Sequence, residues 1–257
     1  MASRLPGAIW WVGHAGAIMD QGWWTPIDAY CERTGPEFWS EPLNALSNFA
    51  FLVAAAAAWR LLQRAPRPDP AAAGLVGLVA VIGVGSFLFH TVATRWAAVA
   101  DVAPIALFIL LFLVAALRRV LGLGAATAAL VAVAFQMGAM VLPALWRVVL
   151  AGAPDPLNGS AGYLPALLAL AMVGALGARR RHPGGMALLA AAATFAVSLG
   201  LRSVDLAWCG MIPAGTHSVW HLLNAVVLYL CVRAAITWRA PMPSRPSGHG
   251  NAVIGSQ

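Results

Sequence analysis

The chain has 257 residues, 61% of them hydrophobic and 10% charged, with a mean hydropathy of +0.78. Soluble domains carry roughly 25% charged residues, so an ordinary soluble domain is excluded and an integral membrane protein is indicated. The pI near 10.6 does not indicate nucleic acid binding: every basic residue is arginine, and most lie in short stretches between apolar runs. That pattern orients a membrane protein and makes no continuous DNA-binding face.

Residues 1–43 are mixed, with Trp10, Trp11, Trp23, Trp24 and Trp39 among polar positions. No signal-peptide pattern is present, and Trp-rich half-polar segments lie at the headgroup level, so an extracytoplasmic interfacial segment is expected. Seven apolar runs follow, at about 44–62, 71–91, 97–117, 122–143, 162–178, 184–202 and 217–238. Each is close to the ~20 residues that cross a bilayer, and the bilayer obliges their backbones to pair within each segment as helices. The expected fold is all-α, a seven-transmembrane helix bundle over 44–238. Residues 239–257, rich in Pro, Gly and Ser, read as a disordered cytoplasmic tail. No internal repeat is evident.

Orientation follows from arginine. Arg60, Arg64 and Arg67, then Arg118 and Arg119, then Arg179, Arg180 and Arg181 follow the first, third and fifth runs, and Arg239 and Arg245 follow the seventh. The other side holds Arg4, Arg33, Arg95, Arg147 and Arg202. The positive-inside rule puts the N-terminus outside and the C-terminus in the cytoplasm. Abundant Ala, Arg, Gly and Pro without Lys suggests a GC-rich bacterial genome, hence an inner membrane.

On this map His90, His217 and His221 fall at the outer ends of the second and seventh runs. In GSFLFH (85–90) Ser86 precedes His90 by one turn; in HSVWH (217–221) the two histidines are i and i+4. Such a pair projects about 40° apart around a helix. Asp101 lies near the outer end of the third run, at the same depth. Ionisable groups within spans are costly and face a cavity or each other. Three imidazoles with one open position describe a catalytic zinc site, whose bound water becomes a nucleophile near neutral pH. Asp101 is then a candidate proton acceptor and Ser86 a candidate oxyanion donor. The plainer readings are a satisfied interfacial histidine pair, and an ion pair of Asp101 with Arg95 or Arg202.

These residues resemble the alkaline ceramidase family, within a superfamily of seven-span hydrolases that includes adiponectin-receptor relatives. The likeness rests on YCER (30–33) with EPLNALSN (41–48), GSFLFH followed by Asp101, DLAWC (205–209) and HSVWH, and spans roughly residues 28–238. It implies that His90, His217 and His221 hold zinc and that Asp101 and Ser86 assist attack on the amide of a ceramide-like or other N-acyl lipid. It also implies a calcium site near the N-terminus, to which Glu32 and Glu41 correspond, with the Tyr30 carbonyl and Asp28 as further oxygens. Arg33, Thr34 and Gly35 stand where the family has an asparagine, and the other reading is an acidic surface segment paired with Arg33. Cys31 and Cys209 share the outer side, where an oxidising compartment favours pairing, and the resemblance implies the same disulfide. Free thiols are the alternative. Cys231 is buried in the seventh run.

The functional expectation is therefore a zinc-dependent intramembrane amidase, with a membrane lipid as partner and no nucleic acid. A zinc-containing lipid receptor without turnover is the alternative, disfavoured because a structural zinc takes four protein ligands and needs no spare acid. A metal transporter is disfavoured because the cytoplasmic halves of the spans are nearly devoid of ligands.

Overall fold

The computed structural model describes residues 22–238; expectations for Trp10, Trp11 and the 239–257 tail concern residues outside that range. Within it the helices are α1 (Pro42–Ser47), α2 (Phe49–Gln63), α3 (Pro70–Val92), α4 (Arg95–Arg119), α5 (Ala125–Leu150), α6 (Leu164–Arg179), α7 (Gly185–Val204) and α8 (His217–Thr237). α1 and α2 together make one span, and a 3-10 turn at Ser160–Tyr163 leads into α6. The result is seven segments long and apolar enough to cross a membrane. No strand occurs among the described residues, only an isolated bridge between Pro26 and Thr94.

Local chemistry sets several ends. Pro42 and Pro70 open helices in the first turn, where a missing N–H costs nothing. The Asp69 side chain caps α3 by accepting from the Ala72 N–H at 3.1 Å. The fourth span departs from expectation: it starts at Ala125, because Gly122 turns the chain at a φ of 72°, and it runs through Pro143 to Leu150. A proline inside a membrane helix removes one backbone bond, and neighbouring helices can compensate for it.

α3 packs on α2 and α4, α8 packs on α7 and α2, and α8 also touches α3 and α4. These two are the inner spans, each with half of its apolar window buried against 11% for α5. Their shared core includes Phe51, Ile82, Phe108, Leu188, Trp220 and Val232. Close approach depends on small residues. At Gly85 a Cβ would fall 2.1 Å from the Ala100 carbonyl oxygen, so glycine is what lets the C-terminal half of α3 meet α4 beside Asp101.

Alternating helix direction places the end of α3 and the start of α8 together, and the arginine-rich connections at the opposite end. There Arg119 bridges Asp69, at 2.9 Å, and the Ala235 carbonyl, also at 2.9 Å. Over the histidine end lies the segment 22–41. Its Ile27 N–H donates to the Ala93 carbonyl at 2.7 Å, and the Arg95 N–H donates to the Thr25 carbonyl at 3.2 Å.

Gly85→Ala is expected to lower stability in detergent by about 1–3 kcal/mol through overpacking. Gly74→Ala, in open space on the same helix, is expected to have no such effect. Thermal unfolding of the two purified variants checks the contrast, and equal behaviour would refute the close contact.

Candidate metal centre

His90 stands on the last turn of α3, and His217 and His221 on the first two turns of α8. All three are buried. Their ring centroids lie 5.1, 4.7 and 4.6 Å apart, and one ring nitrogen from each falls within 4.8 Å of the others. Among the described residues this is the group of His, Cys, Asp and Glu side chains that could hold a metal ion. His90 Nε2 and His217 Nδ1 are buried with no hydrogen-bond partner. Leaving such a group unpaired costs about 1–3 kcal/mol, and one cation between the rings would relieve both. An all-imidazole donor set suits zinc among biological divalent ions.

The start of α8 is fixed by Asp205, a fully buried carboxylate. Its Oδ1 accepts from the N–H groups of Thr216, at 2.6 Å, and His217, at 3.0 Å, and its Oδ2 from the Cys31 N–H at 3.0 Å. A carboxylate on the first free N–H groups of a helix is favoured by both hydrogen bonding and the helix dipole. Gly215, at a φ of 67°, makes room for it, since a Cβ there would lie 2.2 Å from Oδ1. The expected Cys31–Cys209 disulfide is formed, with Cα atoms 5.4 Å apart, and Cys231 is a buried free thiol.

Next to Cys31, the Tyr30 ring stacks on His217 at 3.6 Å and 18°. Burial pushes the Tyr30 hydroxyl up from its ordinary value, so it stays protonated, and it lies 3.5 Å from Arg202. Arg202 is buried against the faces of Tyr163 and Trp220, at 5.5 and 5.6 Å. It donates to the Asn158 carbonyl and Ser160 Oγ, both at 2.8 Å. Asp155 closes that same loop, accepting from Trp146 Nε1 and from the N–H groups of Leu157 and Gly159. Ser86, buried one turn before His90, hydrogen-bonds the half-buried Asp101, which lies within electrostatic reach of His90 and Arg202.

Glu32 and Glu41, the acidic residues expected to bind calcium, are each held by hydrogen bonds. Glu32 spends its two oxygens on the N–H groups of Leu43 and Asn44, both at 2.7 Å, at the start of α1. Glu41 pairs with Arg33 and accepts from Asn44 Nδ2 at 3.0 Å and His90 Nδ1 at 2.5 Å. Burial would raise the Glu41 carboxyl, but His90, Arg33 and Asn44 together hold it below the usual carboxylate range. Tyr30 stacks its ring on His217, and the ligand group found among the described residues does not include Asp28, Glu32 or Glu41. The expected pairing of this segment with Arg33 is present as an ion pair with Glu41 that is buried and not on the surface.

Sequence reasoning assigned no site role to Asp205, Ser47, Arg33 or Arg202. Asp205 and Ser47 lay inside the quoted stretches DLAWC and EPLNALSN, but nothing in spacing says that a carboxylate twelve residues before a histidine caps its helix. No protein-family profile matches the chain, and no curated protein matches it.

Elemental analysis of the purified protein is expected to find about one zinc-class ion per chain. His217→Ala and His221→Ala are each expected to abolish retention. Full metal content in the double variant would remove these residues from the ligand set.

Proposed function

We propose that this integral membrane protein is a zinc-dependent hydrolase, alkaline-ceramidase-like, that cleaves the amide bond of a ceramide-like or other N-acyl lipid. His90, His217 and His221 would hold the ion. What such an ion supplies when bound is acidification of a water and polarisation of a carbonyl oxygen.

The observation that carries the reading is a carboxyl and a hydroxyl beside a cluster of only three protein ligands. Asp101 and Ser86 are hydrogen-bonded to each other next to the triad, and the triad has no fourth ligand among the described residues. A structural zinc site would close with four and would need neither. In the reaction Asp101 accepts the proton lost by the attacking water. It returns that proton to the nitrogen as the C–N bond breaks, releasing a fatty acid and an amine. Ser86 donates its single proton to the Asp101 carboxylate and holds it in place; once Asp101 has taken up the water's proton it can donate to Ser86 Oγ in turn, which frees the Ser86 proton for the developing oxyanion. Tyr30 and Trp220 flank the His217 ring with near-parallel planes and keep it in register with the other two.

The depth of the site supports a lipid substrate. It lies at one end of the spans, where an amide just below the headgroups meets it with little vertical displacement, and Trp23, Trp24, Phe38 and Trp39 are exposed at that end. The arginine-rich connections lie at the other end, which supports placing the site on the periplasmic side of a bacterial inner membrane.

The test is a panel of N-acyl lipids incubated with the protein in mixed micelles, with released fatty acid measured by mass spectrometry. Asp101→Asn is expected to lower the rate about 10²–10⁴-fold and Ser86→Ala about 10²-fold, both with metal content unchanged. Activity that persists in Asp101→Asn, or that survives complete metal removal, would defeat the proposal.

A further inference from the structure

Each of two histidines in the cluster has its second ring nitrogen held by a residue of the α1 region, and the hydrogen bonds settle which nitrogen is left for a metal. Ser47 has a single hydroxyl proton, and its Oγ donates to the Asn44 carbonyl at 2.9 Å. Its 2.7 Å contact with His221 Nδ1 is therefore one in which the ring donates, leaving the Nε2 lone pair free. Ionised Glu41 only accepts, so the 2.5 Å contact makes His90 Nδ1 a donor as well. His90 Nε2, the atom left without a partner, then carries a free lone pair in a ring clustered with the other two histidines.

Arg33 stands behind this arrangement. It is 4% exposed and commits all three guanidinium nitrogens to one place. Nε pairs with Glu41 Oε1, Nη1 donates to the Gly35 carbonyl at 3.0 Å, and Nη2 donates to the carbonyl of His90 itself at 3.0 Å. His90 is thus gripped twice, at its backbone by Arg33 and at its ring by Glu41, and the two grips are joined by the ion pair. A planar fork with five donors matches this set of acceptors, and an ammonium would not.

We infer that Glu41 and Arg33 are positioning residues of the metal centre, a two-step relay through which the N-terminal segment sets the tautomer and orientation of His90. The inference rests on the metal-holding part of the proposed function and is independent of the reaction. A carboxylate on the far nitrogen of a metal-binding imidazole typically changes affinity by 10–100-fold when removed.

The test uses the full-length protein in detergent, with zinc affinity measured by competition against a chromophoric chelator and the thermal midpoint of the metal-free protein followed in parallel. Glu41→Ala is expected to weaken zinc binding about 10–100-fold and Glu41→Gln by less, since the amide oxygen still accepts from Nδ1. Arg33→Met is expected to weaken binding about tenfold, with partial recovery in Arg33→Lys. Unchanged affinity in Glu41→Ala and Arg33→Met, whatever happens to the thermal midpoint, would overturn the inference. If those two do not fold, unchanged affinity in both Glu41→Gln and Arg33→Lys overturns it equally. Weakened affinity in a protein that hydrolyses no amide would uphold the relay while refuting the hydrolase.

Discussion

Imidazole nitrogens brought together inside an apolar bundle need a partner, because a buried polar atom left without one is costly. Three of them lie within 4.8 Å here, and two have no hydrogen bond. Much of the rest of the molecule can be understood as holding this arrangement. The histidines stand on the two most buried spans, whose positions are set by neighbours on several sides. Gly85 brings α3 onto α4, and Asp205 pins the first turn of α8, so both backbones are fixed before any side chain is placed.

The segment before α1 belongs to the centre as much as the spans do. Tyr30 covers His217, Cys31 is tied covalently to Cys209 and by hydrogen bond to Asp205, Glu32 starts α1, and Arg33 meets Glu41 beside His90. Every buried charge in this layer has a partner of a kind suited to it. Glu41 has a guanidinium and Asp205 has three backbone N–H groups, whereas Arg202 has neutral oxygens and aromatic faces. Removing one member of such a pairing leaves its partner buried and uncompensated, which is costlier than the pairing was favourable. The result is a stiff polar cap on an apolar bundle, a geometry suited to holding ligand atoms in fixed positions.

The two ends of the bundle do different work. At the arginine-rich end the polar contacts are helix-to-helix braces, as where Arg119 joins the cap of α3 to the end of α8. At the histidine end the polar groups face one another across several elements. This asymmetry is what a one-sided site in a membrane requires: polar groups are costly within the hydrocarbon, so they concentrate where function needs them.

The seven spans, the histidine-bearing ends of α3 and α8 and the Cys31–Cys209 pair were legible in the sequence, because apolar length and the depth of polar residues within it are properties of the chain itself. The end of α5 was not, since the helix continues through Pro143 to Leu150, and a proline inside a helix is accommodated by its neighbours in the bundle. Nor was the fate of the acidic residues near the N-terminus. Glu32 and Glu41 look like cation ligands in sequence, and only the fold brings Leu43 and Asn44 N–H groups to one and the Arg33 guanidinium to the other. The sequence by itself determined which residues would lie at one depth in the membrane. Tertiary structure alone decided which of their atoms were left unpaired, because that depends on hydrogen-bond partners drawn from segments far apart in the chain.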